Sequence, residues 1–167
     1  SDYLNINREY MDNRSGKIKF SNIRTQIYGT HNIKKYCETN SLNLDIIPKS
    51  TNRVDTNTYS TGNLGDLIFV QKFRKKNVDE ILPPIDFNDF EFRVNYKSER
   101  ILNPNSETVT NIINTWNDSK KVFRLIKRYT FKHVDLPLDF DLSIVKSSKK
   151  NGGRLIPEYN IETSCVF

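Results

Sequence analysis

Two-residue alternation limits the folds open to this chain more than any other feature. In five segments apolar residues take nearly every second position, and most of the positions between are polar or charged. Residues 16–28 set Ile23 and Ile27 against Asn22, Arg24 and Gln26. Residues 67–74 set Leu67, Phe69 and Phe73 against Ile68, Val70, Lys72 and Arg74. Across 92–99, Phe92, Val94 and Tyr96 alternate with Arg93, Asn95, Lys97 and Glu99. Phe123, Leu125, Tyr129 and Phe131 oppose Arg124, Ile126, Arg128 and Thr130 in 122–131. In 139–146, Phe140, Leu142 and Ile144 oppose Asp139, Asp141, Ser143 and Val145. Successive side chains of a strand point to opposite sides of its sheet, so this period predicts five strands.

Two segments carry the helical period instead. Residues 31–39 place Ile33, Tyr36 and Cys37 on one face. Residues 106–121 place Val109, Ile112, Ile113 and Trp116 at i, i+3, i+4 and i+7, with Asn105 or Ser106 as N-cap. Trp116 reads as the anchor of that helix to the core. Residues 40–65 and 77–89 carry turn and loop chemistry, and Pro83-Pro84 argues against a strand in the second. Residues 147–153 read as a basic loop ending in glycine. With no βαβ rhythm, the expected class is mostly antiparallel β with a few helices (α+β).

Composition narrows the chemistry. The 167 residues suit one domain. Lys and Arg total 26 against 20 Asp and Glu, a net charge of +6 that favours polyanionic partners. Two cysteines (Cys37, Cys165) and two histidines (His31, His133) exclude a disulfide framework or a Cys/His zinc site as organising principle. No apolar run approaches the ~18 residues of a membrane span. The chain does not open on a signal peptide, so no membrane partner and a cytoplasmic location are expected. Gly-x-x-x-x-Gly-Lys-Ser/Thr, Gly-x-Gly-x-x-Gly and Gly-x-Ser-x-Gly are all absent, which removes P-loop, dinucleotide and α/β-hydrolase chemistry. Alanine is missing altogether, a mark of AT-biased coding.

The charged strand faces admit two readings. Arg24, Arg93, Lys97, Arg124 and Arg128 can be ordinary solvated positions, since an antiparallel sheet commonly shows one face to water. Alternatively several strands turn these faces toward one another and enclose a cationic interior. Crowded like charges need an anion there, and a polyphosphate fits. Alternation alone does not choose between these two.

Four segments carry a resemblance: Ser21-Asn-Ile-Arg-Thr-Gln-Ile27, Phe92-Arg-Val-Asn-Tyr-Lys-Ser-Glu99, Phe123-Arg-Leu-Ile-Lys-Arg-Tyr-Thr-Phe131 and Phe140-Asp-Leu-Ser-Ile-Val-Lys-Ser-Ser148. In this order, across residues 18–167, they resemble the RNA 5′-triphosphatase domain of large-DNA-virus mRNA capping enzymes. That domain belongs to the triphosphate tunnel metalloenzymes, whose antiparallel barrel encloses a tunnel lined by basic residues and acidic metal ligands. The resemblance implies one domain over 1–167 within a longer capping enzyme, and a tunnel barrel incomplete in this chain. It implies removal of the γ-phosphate from nascent RNA with Mg²⁺ or Mn²⁺. The implied partners are 5′-triphosphate RNA and guanylyltransferase and methyltransferase domains, in host cytoplasm, virus factory or virion.

Residue by residue, the resemblance assigns Arg24, Lys72, Arg93, Arg124 and Arg128 to the phosphates. It assigns Glu99 and Asp141 to metal, and Asp141 with Ser143 to the ordering of water or of the metal's surroundings. Ile126 stands where such a strand often carries lysine. The family's Glu-x-Glu pairs, on its first and last strands, have no counterpart in the sequence. The resemblance would place them before Ser1 and after Phe167. Lys-x-Asp-Gly is also absent, so cap transfer is not encoded. A non-catalytic triphosphate- or RNA-binding module, or a viral structural protein on the same fold, is the alternative.

Overall fold

Backbone pairing joins the alternating segments into one antiparallel sheet. A computed structural model describes residues 1–39, 41–42, 67–74, 76–77, 80–81, 85–90, 92–94, 97–151 and 154–166, with backbone alone at 74–81, 90, 92 and 149–166. The strands are β1 (Asp2–Met11), β2 (Ile18–Tyr28), β3 (Leu67–Arg74), β4 (Lys76–Asn77), β5 (Glu80–Ile81), β6 (Ile85–Phe87), β7 (Phe92–Val94), β8 (Lys97–Ile101), β9 (Lys121–Lys132), β10 (Asp139–Asn151) and β11 (Arg154–Val166). Seven of them form the main sheet in the order β11-β10-β9-β1-β2-β3-β8, while β4-β5 and β6-β7 are separate small hairpins. The sheet curls into a half-barrel. In a flat sheet β8 would lie about 14 Å from β1, three strand spacings away. Tyr3 on β1 feels the charges of both Glu99 on β8 and Asp141 on β10, on the two flanks of this curled sheet.

The outer face is covered at one end by helices α1 (Thr30–Thr39) and α2 (Glu107–Asn114). Leu4, Ile6, Ile23, Ile27, Leu67 and Phe69 of the strands pack there with Tyr36, Val109, Ile112 and Trp116. Ser106 is the N-cap of α2, its hydroxyl accepting the Val109 N–H at 3.3 Å. Gly29, at φ +86°, makes the left-handed step from β2 into α1 that a side chain would strain. Trp116 is buried as expected.

Several expectations are corrected. The helix predicted over 106–121 ends at Asn114, because Thr115 leads into a short 3-10 turn and β9 claims Lys121. On α1 the buried residues are Asn32 and Tyr36, while Cys37 is exposed. Asn32 Nδ2 donates to the Tyr28 carbonyl at 3.0 Å, a bond that lets an amide go inside. The strand predicted over 92–99 is two strands: β7 pairs with β6, and β8 pairs with β3. Residues 77–89 hold the strand pieces β5 and β6. The basic loop predicted at 147–153 is in its first part strand, since β10 runs to Asn151 and pairs with β11 along its whole length. Strands β1 and β11 add to the five predicted. Most of the loop predicted over 40–65, with Pro83-Pro84, lies outside the described residues.

Burial on β10 runs opposite to hydropathy. Asp141, Ser143 and Val145 are only 8%, 3% and 0% exposed, while Phe140, Leu142 and Ile144 are 44%, 37% and 45% exposed. The polar side of this strand faces the concavity, and its apolar side faces out.

Candidate functional site

Register carries most of the candidate residues to one surface. On β1, Tyr3, Asn5 and Asn7 lie opposite Tyr28, Gln26 and Arg24 of β2. On the other side of β1, Asn5 pairs with Arg124 and Tyr3 with Ile126 of β9. Arg128 and Thr130 then pair with Ser143 and Asp141 of β10. On the far flank Arg24 pairs with Val70, and two residues along β3 Lys72 pairs with Glu99. Paired residues of an antiparallel sheet share a face. Arg24, Lys72, Glu99, Arg124, Arg128, Asp141 and Ser143 therefore all belong to the concave side.

Its floor is apolar. Tyr3, Ile126 and Val145 are buried together with Tyr28 against them. The rings of Tyr3 and Tyr28 stack with centroids 5.0 Å apart, and the Arg128 guanidinium lies 5.5 Å from the centre of the Tyr3 ring. Ile126 thus fills a packed position, and a lysine there would bury its charge against two tyrosines.

Above the floor the polar groups are held in fixed attitudes. Arg128 donates from Nε to Ser143 Oγ at 3.1 Å, and its Nη1 is 3.4 Å from Asp141 Oδ2. Thr130 donates its hydroxyl to Asp141 Oδ1 at 2.6 Å. Lys72 Nζ lies 2.5 Å from Glu99 Oε1. Tyr28 donates to Gln26 Oε1 at 3.1 Å, and Gln26 Nε2 to Asn5 Oδ1 at 3.3 Å. Burial holds Arg24 and Lys72 below their ordinary pKa values, with the Glu99 carboxylate acting against that shift in both. Burial also pushes the Tyr28 phenol up to about 12. Arg24, Lys72, Arg124 and Arg128 gather four cationic side chains on one surface, a grouping suited to an anion with several oxygens.

No protein family, curated protein or solved structure matches the chain.

Arg93 does not join this surface. It lies exposed in the β6-β7 hairpin, holding Asp86 through Nε at 2.5 Å and Nη2 at 3.0 Å. The spacing from Arg93 to Glu99 therefore links two different sheets. Conversely, Tyr3, Asn5, Asn7, Gln26 and Thr130 are site residues that the sequence reading did not single out. The alternation of Leu4 and Ile6 with Asn5 and Asn7 carries the signal for β1. On β11 the residues paired with Ser147 and Ser143 are Glu158 and Glu162, four apart and on one face of the strand.

Oxygen donors of the kind a hard divalent cation takes stand on this face, and among the described residues no three Asp, Glu, His or Cys side chains gather in one group. Among the described residues the concave face offers oxygen from Glu99, Asp141 and Asn7, and Asn7 Oδ1 is buried with no hydrogen-bond partner. Carboxylate and carbonyl oxygens are the ligands Mg²⁺ and Mn²⁺ take, usually together with phosphate oxygens.

Proposed function

We propose that the concave face receives the 5′-triphosphate end of RNA and that its reaction is release of the γ-phosphate, the opening step of cap formation. The half-barrel would then be part of a triphosphate tunnel. One observation carries this reading: Arg24, Lys72, Arg124 and Arg128, from three strands, converge on one concave surface over the buried side chains of Tyr3, Ile126 and Val145. Such a surface costs free energy when empty of anions and gains it when phosphate oxygens replace water.

The chain's own residues have distinct parts in this scheme. Arg124 and Arg128, four residues apart on β9, span adjacent phosphate groups, while Arg24 and Lys72 approach from the other flank. Guanidinium forks and the ammonium neutralise charge that builds on the phosphoryl oxygens as the bond to the leaving phosphate lengthens. Asp141, held by Thr130 and Arg128, orients that guanidinium and accepts a hydrogen bond from an attacking water. Ser143 fixes Arg128 from the other side. Glu99 and Asp141 would hold Mg²⁺ or Mn²⁺, which when bound withdraws charge from the phosphates.

A second reading has its own support. The first strand carries Asn5-Ile6-Asn7, neutral amides at Glu-x-Glu spacing, and a face built that way binds oligophosphate without hydrolysing it. Phosphate release from 5′-triphosphate RNA, with Mg²⁺ or Mn²⁺ and with chelator as control, separates the two. Release that the chelator abolishes supports the triphosphatase. Saturable binding of the same RNA without release supports the binding module, and the absence of both release and binding overturns both readings.

A further inference from the structure

The outer face of β9 and β10 is apolar, and no described element packs over it. Phe140 pairs with Phe131, Leu142 with Tyr129, Ile144 with Lys127 and Lys146 with Leu125. Leu125, Tyr129 and Phe131 are 40%, 45% and 58% exposed, and the three apolar residues of β10 are exposed to a similar degree. Six large apolar side chains in adjoining register make one patch, and exposed apolar surface gathered in this way marks an interaction site. The patch faces away from the concave site, so catalysis or phosphate binding gives no account of it.

Two observations indicate what covers it. The same outer face, over β1, β2 and β3, is already covered by helices, with Val109 and Ile112 of α2 packed against Ile and Leu side chains of the strands. Phe123 marks the boundary, on β9 and packed against that helical cluster. The second observation is charge. Lys127 and Lys146 stand within the apolar field on diagonal positions of adjacent strands, each exposed, with Asp2 of β1 opposite Lys127. A helix that covers the patch meets this pair of ammonium groups with carboxylates on its flank. A second copy of this chain presents the same two lysines to the patch, on a molecule with a net charge of +6.

We propose that the outer face of β9 and β10 is a docking site for an amphipathic helix of a partner protein, apolar on one side and acidic along its flanks. The helix extends the covering that α1 and α2 begin. Its apolar side chains lie between the two strands' exposed rows, and its carboxylates reach Lys127 and Lys146.

The test uses two labelled 18-residue helical peptides with the same Leu/Phe face, one flanked by Glu and one by Lys, titrated with the 167-residue chain. The Glu-flanked peptide should bind at least about tenfold tighter. Lys127→Glu with Lys146→Glu should reverse the preference, and Leu142→Asn should weaken both peptides. Each variant should keep the wild-type circular dichroism spectrum and cooperative thermal unfolding, which show that it folds whether or not the concave face binds phosphate. Equal or absent binding of the two peptides overturns the proposal. So does a dimer in sedimentation equilibrium that Leu142→Asn dissociates, since the patch would then belong to a second copy. Flotation with phosphatidylserine vesicles in preference to the Glu-flanked peptide overturns it in favour of a lipid surface.

Discussion

Arg128 is the residue on which most of the concave face converges. Its guanidinium touches Ser143, lies beside Asp141 and covers the Tyr3 ring. Loss of one preorganised charge of this kind costs roughly two to three orders of magnitude in turnover. On the proposed triphosphatase reading, Arg128→Ala should lower turnover by about 100-fold or more, as initial rates of phosphate release would show. On the same reading Glu99 works against the incoming anion, because it is ion-paired with Lys72. Glu99→Gln should tighten tripolyphosphate binding about three- to tenfold when no divalent cation is present, measured by calorimetry. If Glu99 serves only the metal, that affinity will not change. Arg93→Ala should leave both quantities at wild-type values, since its partner is Asp86 in a separate hairpin. Alternation made Arg24, Lys72, Arg124 and Arg128 legible as residues sharing strand faces. It misplaced Arg93 because the period continues from β7 to β8 while the pairing partner changes.

At the scale of elements, the helices act as a lid on half of the outer face. Trp116 is the largest side chain in that contact, lying edge-on to Tyr36 at 6.3 Å between centroids. Trp116→Ala should cost about 3–5 kcal/mol of folding stability in urea titrations, the usual range for a buried Trp. The 3.6-residue period and the Ser106 cap were readable directly, because both are local backbone properties. The end of α2 was not, because β9 competes for the residues after Asp118 and wins them by pairing with β1 and β10. β10 makes the same point more sharply. Its alternation correctly separates Phe140, Leu142 and Ile144 from Asp141, Ser143 and Val145, yet the polar set is the buried one. A local pattern states which side chains share a face, and neighbouring strands determine which face is covered.

For the whole molecule, the curl of the sheet converts scattered charges into one site and leaves a pH signature. Tyr28 has its phenol pushed from 10.0 to about 12, chiefly by burial. Between those values the unfolded chain has released this proton and the folded chain still holds it. Stability contributed by the neutral phenol is thus complete below pH 10 and declines as pH rises toward 12. Melting temperatures from pH 9 upward should therefore fall less steeply in Tyr28→Phe than in the wild type. Among the described residues no helix is long and apolar enough to cross a membrane. By itself the sequence determined the strand and helix periods, the face that each strand residue shares, and the excess of positive charge. These follow from backbone geometry over a few residues and from counting. Only the tertiary structure decided that the polar faces turn inward, that Arg93 stands apart, and that β1 and β11 complete the sheet. Those outcomes depend on pairings between residues up to more than a hundred positions apart, as between Asp2 and Lys127, which no local period encodes.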